Sequence, residues 1–527
     1  MEGPTLLLGD CESELRTRLG VAGAMPAWVR SGPWSTTDRL DPQPCLPRRL
    51  FRKGLSGPGK TISGMAQNFI GVDRDQAFLM PPSLQEWLPE GHLAWCLLDV
   101  VGEMDLSGFY ARYRPDGWGR PPYEPSMMVA LILYSYCKGQ RSSRGIEREC
   151  WEDVAYRVIC ANLTPDHVTI NRFRCEHQDA LAELFGQVLR LCAKAGMVNV
   201  GTIAVDGTRV AANASKAQTV DYEKLARTIL EEAAEVDAAE DELYGDKRGD
   251  ELPERLSTRW GRQEWLREAK RQLEQERAAE AKPVPRARAP RLREAKRRMD
   301  EELWVEQRAN AAYEAWRAHG GRAFGKVTPY RPPDRPAGQI NVTDPDSRIV
   351  QSRHGFIQGY TAQAVTTKDQ IVICADVICG GNERMSLERL VDGTEHELER
   401  AGVGEGVEVA LADAGFWNTD QIGRLTARGI KTLVNPDSAG RKSPAETRQR
   451  KPHYVEMREQ LASEDGKQHY SQRMVMIEPV FAHIKYNRRV DRFQRRGLAA
   501  CRAEWKLIAT THNLLKLWRH GPLPIPG

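Results

Sequence analysis

At 527 residues with 41% hydrophobic and 28% charged side chains, the chain can fill more than one core, because single hydrophobic cores stop growing at about 250 to 300 residues. A mean hydropathy of −0.55 and the lack of any apolar run near the roughly 20 residues of a bilayer span argue against a membrane protein. With no basic-then-apolar leader, the chain is expected in the cytoplasm. The net charge of +4 is too small to mark the whole chain as a polyanion binder, and the 11 cysteines are scattered singly. Cys374 and Cys379 are the nearest pair, but no second pair completes a zinc site, so reduced thiols are expected.

Residues 1–64 carry Gly, Pro, Arg and Ser without periodicity and read as a disordered extension, with Met65 or a nearby start opening the functional protein. Within them Gly54 to Thr61 satisfies the GxxxxGK[ST] pattern. A working phosphate loop needs a buried strand before it and a helix after it, and neither flank supplies one. Residues 65–198 are helical in pattern, through SMMVALILYSYCKG, IERECWEDVAYRVICANL and ALAELFGQVLRLCAKAG. Thr164 as N-cap and Pro165 as first helical residue suggest a helix-turn-helix. Thr169, Asn171, Arg172 and Arg174 would then face DNA. A plain helical bundle serves equally, since Ile170 and Phe173 suit a core face either way.

GTIAVDGTRV, within 199–220, reads as a first strand closed by Asp206. Residues 221–329 are rich in Ala, Glu, Lys, Arg and Leu, the composition of long charged helices, and form an inserted hairpin or coiled-coil-like arm. Strand-like sequence resumes in 330–520, where VEVALADAGF closes on Asp413 and MVMIEPVFAHIK carries Glu478 at helical spacing. Residues 521–527 are a tail. The order of elements is an α/β pattern with a mixed five-stranded sheet interrupted by the helical insertion, behind an all-α amino-terminal domain.

Asp206, Asp413 and Glu478 come in the order that a two-metal phosphoryl-transfer site needs. Magnesium takes oxygen ligands in near-octahedral geometry, and carboxylates on rigid elements can hold two ions against a phosphodiester. Just after Glu478, residues 481–520 contain ten Lys or Arg against two Asp or Glu. Lys485, Arg488, Arg489, Arg492, Arg495 and Arg496 can neutralise phosphates, or form a solvated face. Other acidic residues fit less well. Asp376 sits mid-strand, Asp221, Asp344 and Asp346 lie in loop-like sequence, and Asp420 is a helix-cap candidate. His354 and His483 read as hydrogen-bonding residues, and Trp417 as a packing residue over the sheet.

Taken together, GRPPYEPSMMVALILYSYCKGQRSSRGIE, PDHVTINRFR, DGTRVAANAS, TDPDSRIVQSRHGFIQGYTAQAV, ALADAGF, IEPVFAHIKYNRRVDRFQRRG and EWKLIATTHNLLKLW resemble the DDE transposases of bacterial insertion sequences over residues 66–520. The resemblance implies a ribonuclease-H-like catalytic domain, cleavage and strand transfer of insertion-sequence DNA ends, and two Mg2+ ions, with Mn2+ a substitute. It implies double-stranded DNA as partner, at terminal inverted repeats and target, a homodimer or higher assembly on paired ends, and a nucleoid-associated bacterial setting. Asp206 would bridge both metals, with Asp413 on one and Glu478 on the other. Lys485 would contact a phosphate near the cut and Arg473 would clamp the backbone. A related branch spaces Tyr, Arg, Glu and Lys in the third motif. Tyr470 and Arg473 keep the first spacing and Glu478 and Lys485 the last, but four residues separate Arg473 from Glu478 instead of three. A magnesium-dependent nuclease without strand transfer and an inactive DNA-binding relic are the alternative readings.

Overall fold

A computed structural model of the chain describes residues 84–113, 122–233, 284–285, 287–318, 338–352, 355–437 and 452–520. All lie within the compact unit Leu79–Gly527. The expected extension 1–64 with its phosphate-loop pattern, residues 234–283 of the insertion, and His354 lie outside the described residues.

The first helices are α1 (Leu93–Gly102), α2 (Ser107–Tyr110), α3 (Pro125–Cys137), α4 (Ser143–Glu152), α5 (Val154–Ile159), α6 (His167–Glu176) and α7 (Gln178–Lys194). Pro125 opens α3, where the Glu124 carboxylate accepts from Ser126 N–H, since proline fits the first turn whose N–H groups have no helical partner. Met128 to Cys137 are all buried, which explains why this stretch is apolar all round rather than striped. The α6 cap is Asp166, not Thr164: its carboxylate accepts from Thr169 N–H at 2.8 Å. Ile170 and Phe173 do face the core.

The main sheet has six strands: β1 (Thr202–Ala211) is followed by β4 (Arg348–Ser352), β5 (Gly355–Thr366), β6 (Val372–Cys379), β7 (Val409–Ala412) and β8 (Lys431–Val434). β1 is central, antiparallel to β5 and parallel to β7; β6 and β4 both pair with β5, and β8 with β7. The sixth strand departs from the expected five. RIVQS is short and sets an exposed Ile349 beside the buried Val350, so its sequence lacks the apolar–polar alternation that identifies a strand; pairing of Ser352 with Gly355 folds it back on β5.

Between β1 and β4, β2 (Thr219–Asp221) and β3 (Gln339–Asn341) form a separate two-stranded ribbon. It packs with helices α8 (Tyr222–Ala233) and α9 (Arg288–Ala318) around a small core of Leu225, Leu292, Ala295, Met299, Ile340 and Val342. Ribbons of three residues carry no sequence period, so this one was not expected. The remaining helices are α10 (Leu387–Ala401), α11 (Thr419–Ala427), α12 (Pro452–Ala462), α13 (Glu464–Ala482), which runs into a π turn at His483–Asn487, and α14 (Leu498–His520). Helix α14 lies between α3, α7 and β6. One continuous core therefore runs from Leu93 to Leu517, through the first helices and the sheet together.

Candidate active site

Val205 pairs in parallel with Ala412, so Asp206 and Asp413, one residue further on, stand side by side: Asp413 follows the end of β7, whereas β1 does not close at Asp206 but runs on to Ala211 against β5. Carboxyl ends of neighbouring parallel strands are where open α/β sheets form their clefts. The Asp413 carboxylate accepts from Gly415 N–H at 2.8 Å and caps the short turn Ala414–Phe416. Asp206 accepts from its neighbour Gly207 N–H at 2.7 Å and from Arg473 Nη1 at 2.9 Å. Burial holds the Asp206 carboxyl above its usual range; Arg473 opposes that shift and the negative charge of Asp413 adds to it.

Helix α13 crosses this edge. Tyr470 donates its hydroxyl to Ala412 O at 3.3 Å, three residues before Arg473. Further along, Lys485 Nζ reaches Thr208 Oγ1 at 3.1 Å and Arg209 O at 2.8 Å. Glu478 is exposed on the same helix, and its side chain makes no hydrogen bond or ion pair among the described residues. The seven-residue step from Glu478 to Lys485 spans Pro479 and the π turn, and a π turn advances the chain out of α-helical phase. The structure thus brings Asp206, Asp413, Tyr470, Arg473 and Lys485 together and leaves Glu478 outside that cluster.

Sequence reasoning missed Glu383. It lies between β6 and α10 with its side chain 9% exposed, and Oε2 pairs with Arg209 Nη2 at 3.2 Å. Oε1 is buried without a hydrogen-bond partner. A Cβ on Gly207 would fall 1.7 Å from that oxygen. A Cβ on Gly415 would lie 2.9 Å from Asp413 Oδ1 and 3.7 Å from Glu383 Oε2, so both carboxylates border one glycine. Burial pushes the Glu383 carboxyl up to about 7, Arg209 opposes, and Asp413 and Asp206 add to the rise. The available signal was the pair Asp206-Gly207 together with Gly380-Gly381 ahead of an acidic residue.

Among the described residues no three His, Cys, Asp or Glu side chains converge closely enough, as they stand, to hold a metal ion. The chemistry of the donors nevertheless suits a hard divalent cation. Asp206 and Asp413 offer anionic oxygens, the nearest further carboxylate has an oxygen without a partner, and Arg473 supplies positive charge at Asp206.

Residues 82–176 match the family described as "Transposase domain (DUF772)", and residues 436–518 match the one described as "Transposase DDE domain". Together these two matches support an insertion-sequence DDE transposase. No curated protein and no solved structure matches it. The second match carries Tyr470, Arg473, Glu478 and Lys485 of this transposase, whereas Asp206 and Asp413 lie between the two matched regions. The DDE-domain match points to a DNA-processing enzyme. No helix among the described residues is long and apolar enough to cross a membrane.

The transposase's basic residues fall into two groups. Arg488 is buried and donates to Tyr136 O, Ile508 O and Thr511 Oγ1. Arg174 is buried and donates to Tyr136 OH, Arg141 O and Asn171 Oδ1. Both guanidinium groups are committed inside the protein, so neither presents its charge to a phosphate. Thr169 bonds back to Asp166. Arg495 donates to Arg174 O at 2.9 Å. Arg492 and Arg496 also donate to backbone carbonyls, Ala212 O at 3.4 Å and Asn213 O at 2.9 Å, but they line an open cleft of about 910 Å³ with Lys216, Arg288, Arg291 and Phe356. Arg172 and Arg489 are exposed.

The competing side chains have structural partners. Asp376 pairs with Arg389 at 2.5 Å and Arg502 at 2.8 Å. Asp344 accepts from Tyr360 OH at 2.7 Å and Gly497 N–H at 3.1 Å, and Asp346 accepts from Leu498 N–H at 2.8 Å. Asp221 caps α8 through Lys224 N–H, while Asp420 stands exposed in the first turn of α11. His483 pairs with His512 at 2.9 Å. Trp417 packs edge-on to Tyr454 with centroids 6.3 Å apart.

Proposed function

We propose that this transposase cuts its element's DNA ends and joins them to target DNA on a ribonuclease-H-like sheet, using divalent metal held by Asp206, Asp413 and Glu478. The observation that carries the reading is the Asp206–Asp413 pair, placed just past the last parallel pairing of β1 with β7, each carboxylate within the other's field. The strand order, with three antiparallel strands β6, β5 and β1 followed by parallel β7 and β8, supports the fold assignment.

Two Mg2+ ions, or Mn2+ in their place, would activate the attacking water or terminal 3′-hydroxyl and stabilise the leaving oxygen of an in-line displacement. The chain's own groups do the rest. Asp206 and Asp413 hold negative charge at a fixed separation because β1 and β7 are hydrogen-bonded neighbours. Arg473 balances Asp206 and lies at hand for the DNA backbone, while Tyr470 fastens α13 to the end of β7. Lys485, held against β1, is a point charge for a phosphate next to the cut. Glu478, exposed one helical stretch earlier, would turn toward the pair when DNA and metal arrive. Arg492 and Arg496, in the basic cleft, would neutralise phosphates further along the duplex. Paired element ends call for at least two copies of the chain.

Labelled element ends incubated with a target plasmid and Mg2+ test this. Joined product is expected; cleaved ends without joining would mean a nuclease, and a salt-sensitive shift without cutting would mean an inactive binder.

A further inference from the structure

We infer that Glu383 is a fourth carboxylate of the active site and a ligand for the same divalent metal as Asp206 and Asp413. The inference rests on the metal-dependent reading above and extends it to a residue on a different element. Glu383 reaches the site from the turn before α10, whereas the other carboxylates come from β1, β7 and α13.

Three observations converge on it. First, a carboxylate taken this far out of water costs free energy unless both oxygens are satisfied. Glu383 is 8% exposed, and Arg209 satisfies Oε2; Oε1 is buried without a hydrogen bond of good geometry, with the Gln363 side chain the neutral group near enough to favour the charged carboxylate. Second, the backbone of the site is cut away to admit it. Gly207 directly follows Asp206, and any side chain there would run into Oε1. Gly415 follows Asp413 by two residues, and a Cβ there would clash with Asp413 Oδ1 at 2.9 Å and touch Glu383 Oε2 at 3.7 Å. Third, Arg209 is itself fixed, donating to Thr361 Oγ1 at 2.5 Å and Gly381 O at 3.0 Å. The ion pair therefore orients the Glu383 carboxylate with Oε1 against Gly207, the residue joined to Asp206. A pair serving stability alone has no use for an orphaned oxygen in that position. Magnesium sites need several oxygen ligands around each ion, and two ions need more than Asp206 and Asp413 supply.

The test is Mn2+ binding by the full chain without DNA, read by titration calorimetry and by the rise in melting temperature that Mn2+ causes. Glu383→Gln is compared with wild type and with Asp413→Asn. Loss of one ligand should weaken Mn2+ binding roughly ten-fold or more and shrink the Mn2+-induced rise, while the metal-free melting temperature stays level or increases. Glu383→Met, of similar length and without an oxygen, should show the same loss and serves if the glutamine variant fails to fold. Wild-type Mn2+ affinity in a folded Glu383 variant, with Asp413→Asn impaired, would overturn the inference and leave the proposed function standing. Wild-type affinity in Asp413→Asn as well would overturn both.

Discussion

Glu504 carries the sharpest stability prediction. Its side chain is 1% exposed and pairs with Arg141, 5% exposed, at 3.0 Å. It also accepts from Gln494 N–H at 2.9 Å and Arg495 N–H at 3.1 Å. One carboxylate in α14 thereby ties the connection between α3 and α4 to the basic segment that follows α13. Glu504→Ala leaves Arg141 with the carbonyls of Arg492 and Arg489 but no counter-charge, and strips two backbone N–H groups of their acceptor. Removing one member of a buried pair costs about 3 to 5 kcal/mol, out of a total stability of about 5 to 15 kcal/mol. Urea unfolding followed by tryptophan fluorescence should therefore show a loss of about 4 kcal/mol for Glu504→Ala. Glu504→Gln, which keeps one acceptor, should lose about half of that. The double variant Arg141→Met with Glu504→Met should recover the part due to the unpaired charge, because the desolvation of both charges disappears together, and keep the part due to the two N–H groups without an acceptor. A loss under about 1 kcal/mol for Glu504→Ala would refute the reasoning.

Arg473→Gln should destabilise the metal-free protein by about 1 to 3 kcal/mol, since Asp206 loses its charged donor; saturating Mn2+ should shrink that loss, and an equal loss with and without Mn2+ would count against Arg473 as the standing counter-charge. The His483–His512 pair predicts acid sensitivity. Burial lowers His483 to about 3 and His512 well below its ordinary 6.5, so both are neutral in the fold. Their contribution is present above pH 6.5 and is lost as pH falls toward the folded value, at up to about 1.4 kcal/mol per pH unit per histidine. Urea midpoints taken across that window should fall less steeply for His483→Gln than for wild type. For DNA, Arg496→Ala should reduce the slope of log affinity against log salt by about 0.9, the share of one phosphate contact; Arg488→Ala should lower stability and leave the slope alone.

Asp206 and Asp413 were legible in the sequence because each closes an apolar run, and parallel pairing of the two runs makes them neighbours. Glu383 was not. Its turn has no periodicity, and its ion-pair partner Arg209 is 174 residues away. The same distance effect misleads over the basic segment: Arg488 looks like a solvated phosphate contact until its acceptor proves to be Tyr136 O, 352 residues earlier. Glu478 was read on an unbroken helix, but Pro479 and the π turn at His483–Asn487 set Lys485 out of phase with it. The core face of α6 was readable from Ile170 and Phe173, while its cap moved to Asp166 because a carboxylate within reach of Thr169 N–H displaces the threonine two residues earlier.

The central claim is that metal held at Asp206 and Asp413 drives DNA cleavage and joining. Its most direct test is Asp206→Asn assayed on labelled element ends with Mg2+, beside a gel-shift measurement of end binding. The account predicts that both cleaved and joined products disappear while end binding persists. Full magnesium-dependent cleavage by Asp206→Asn would contradict it.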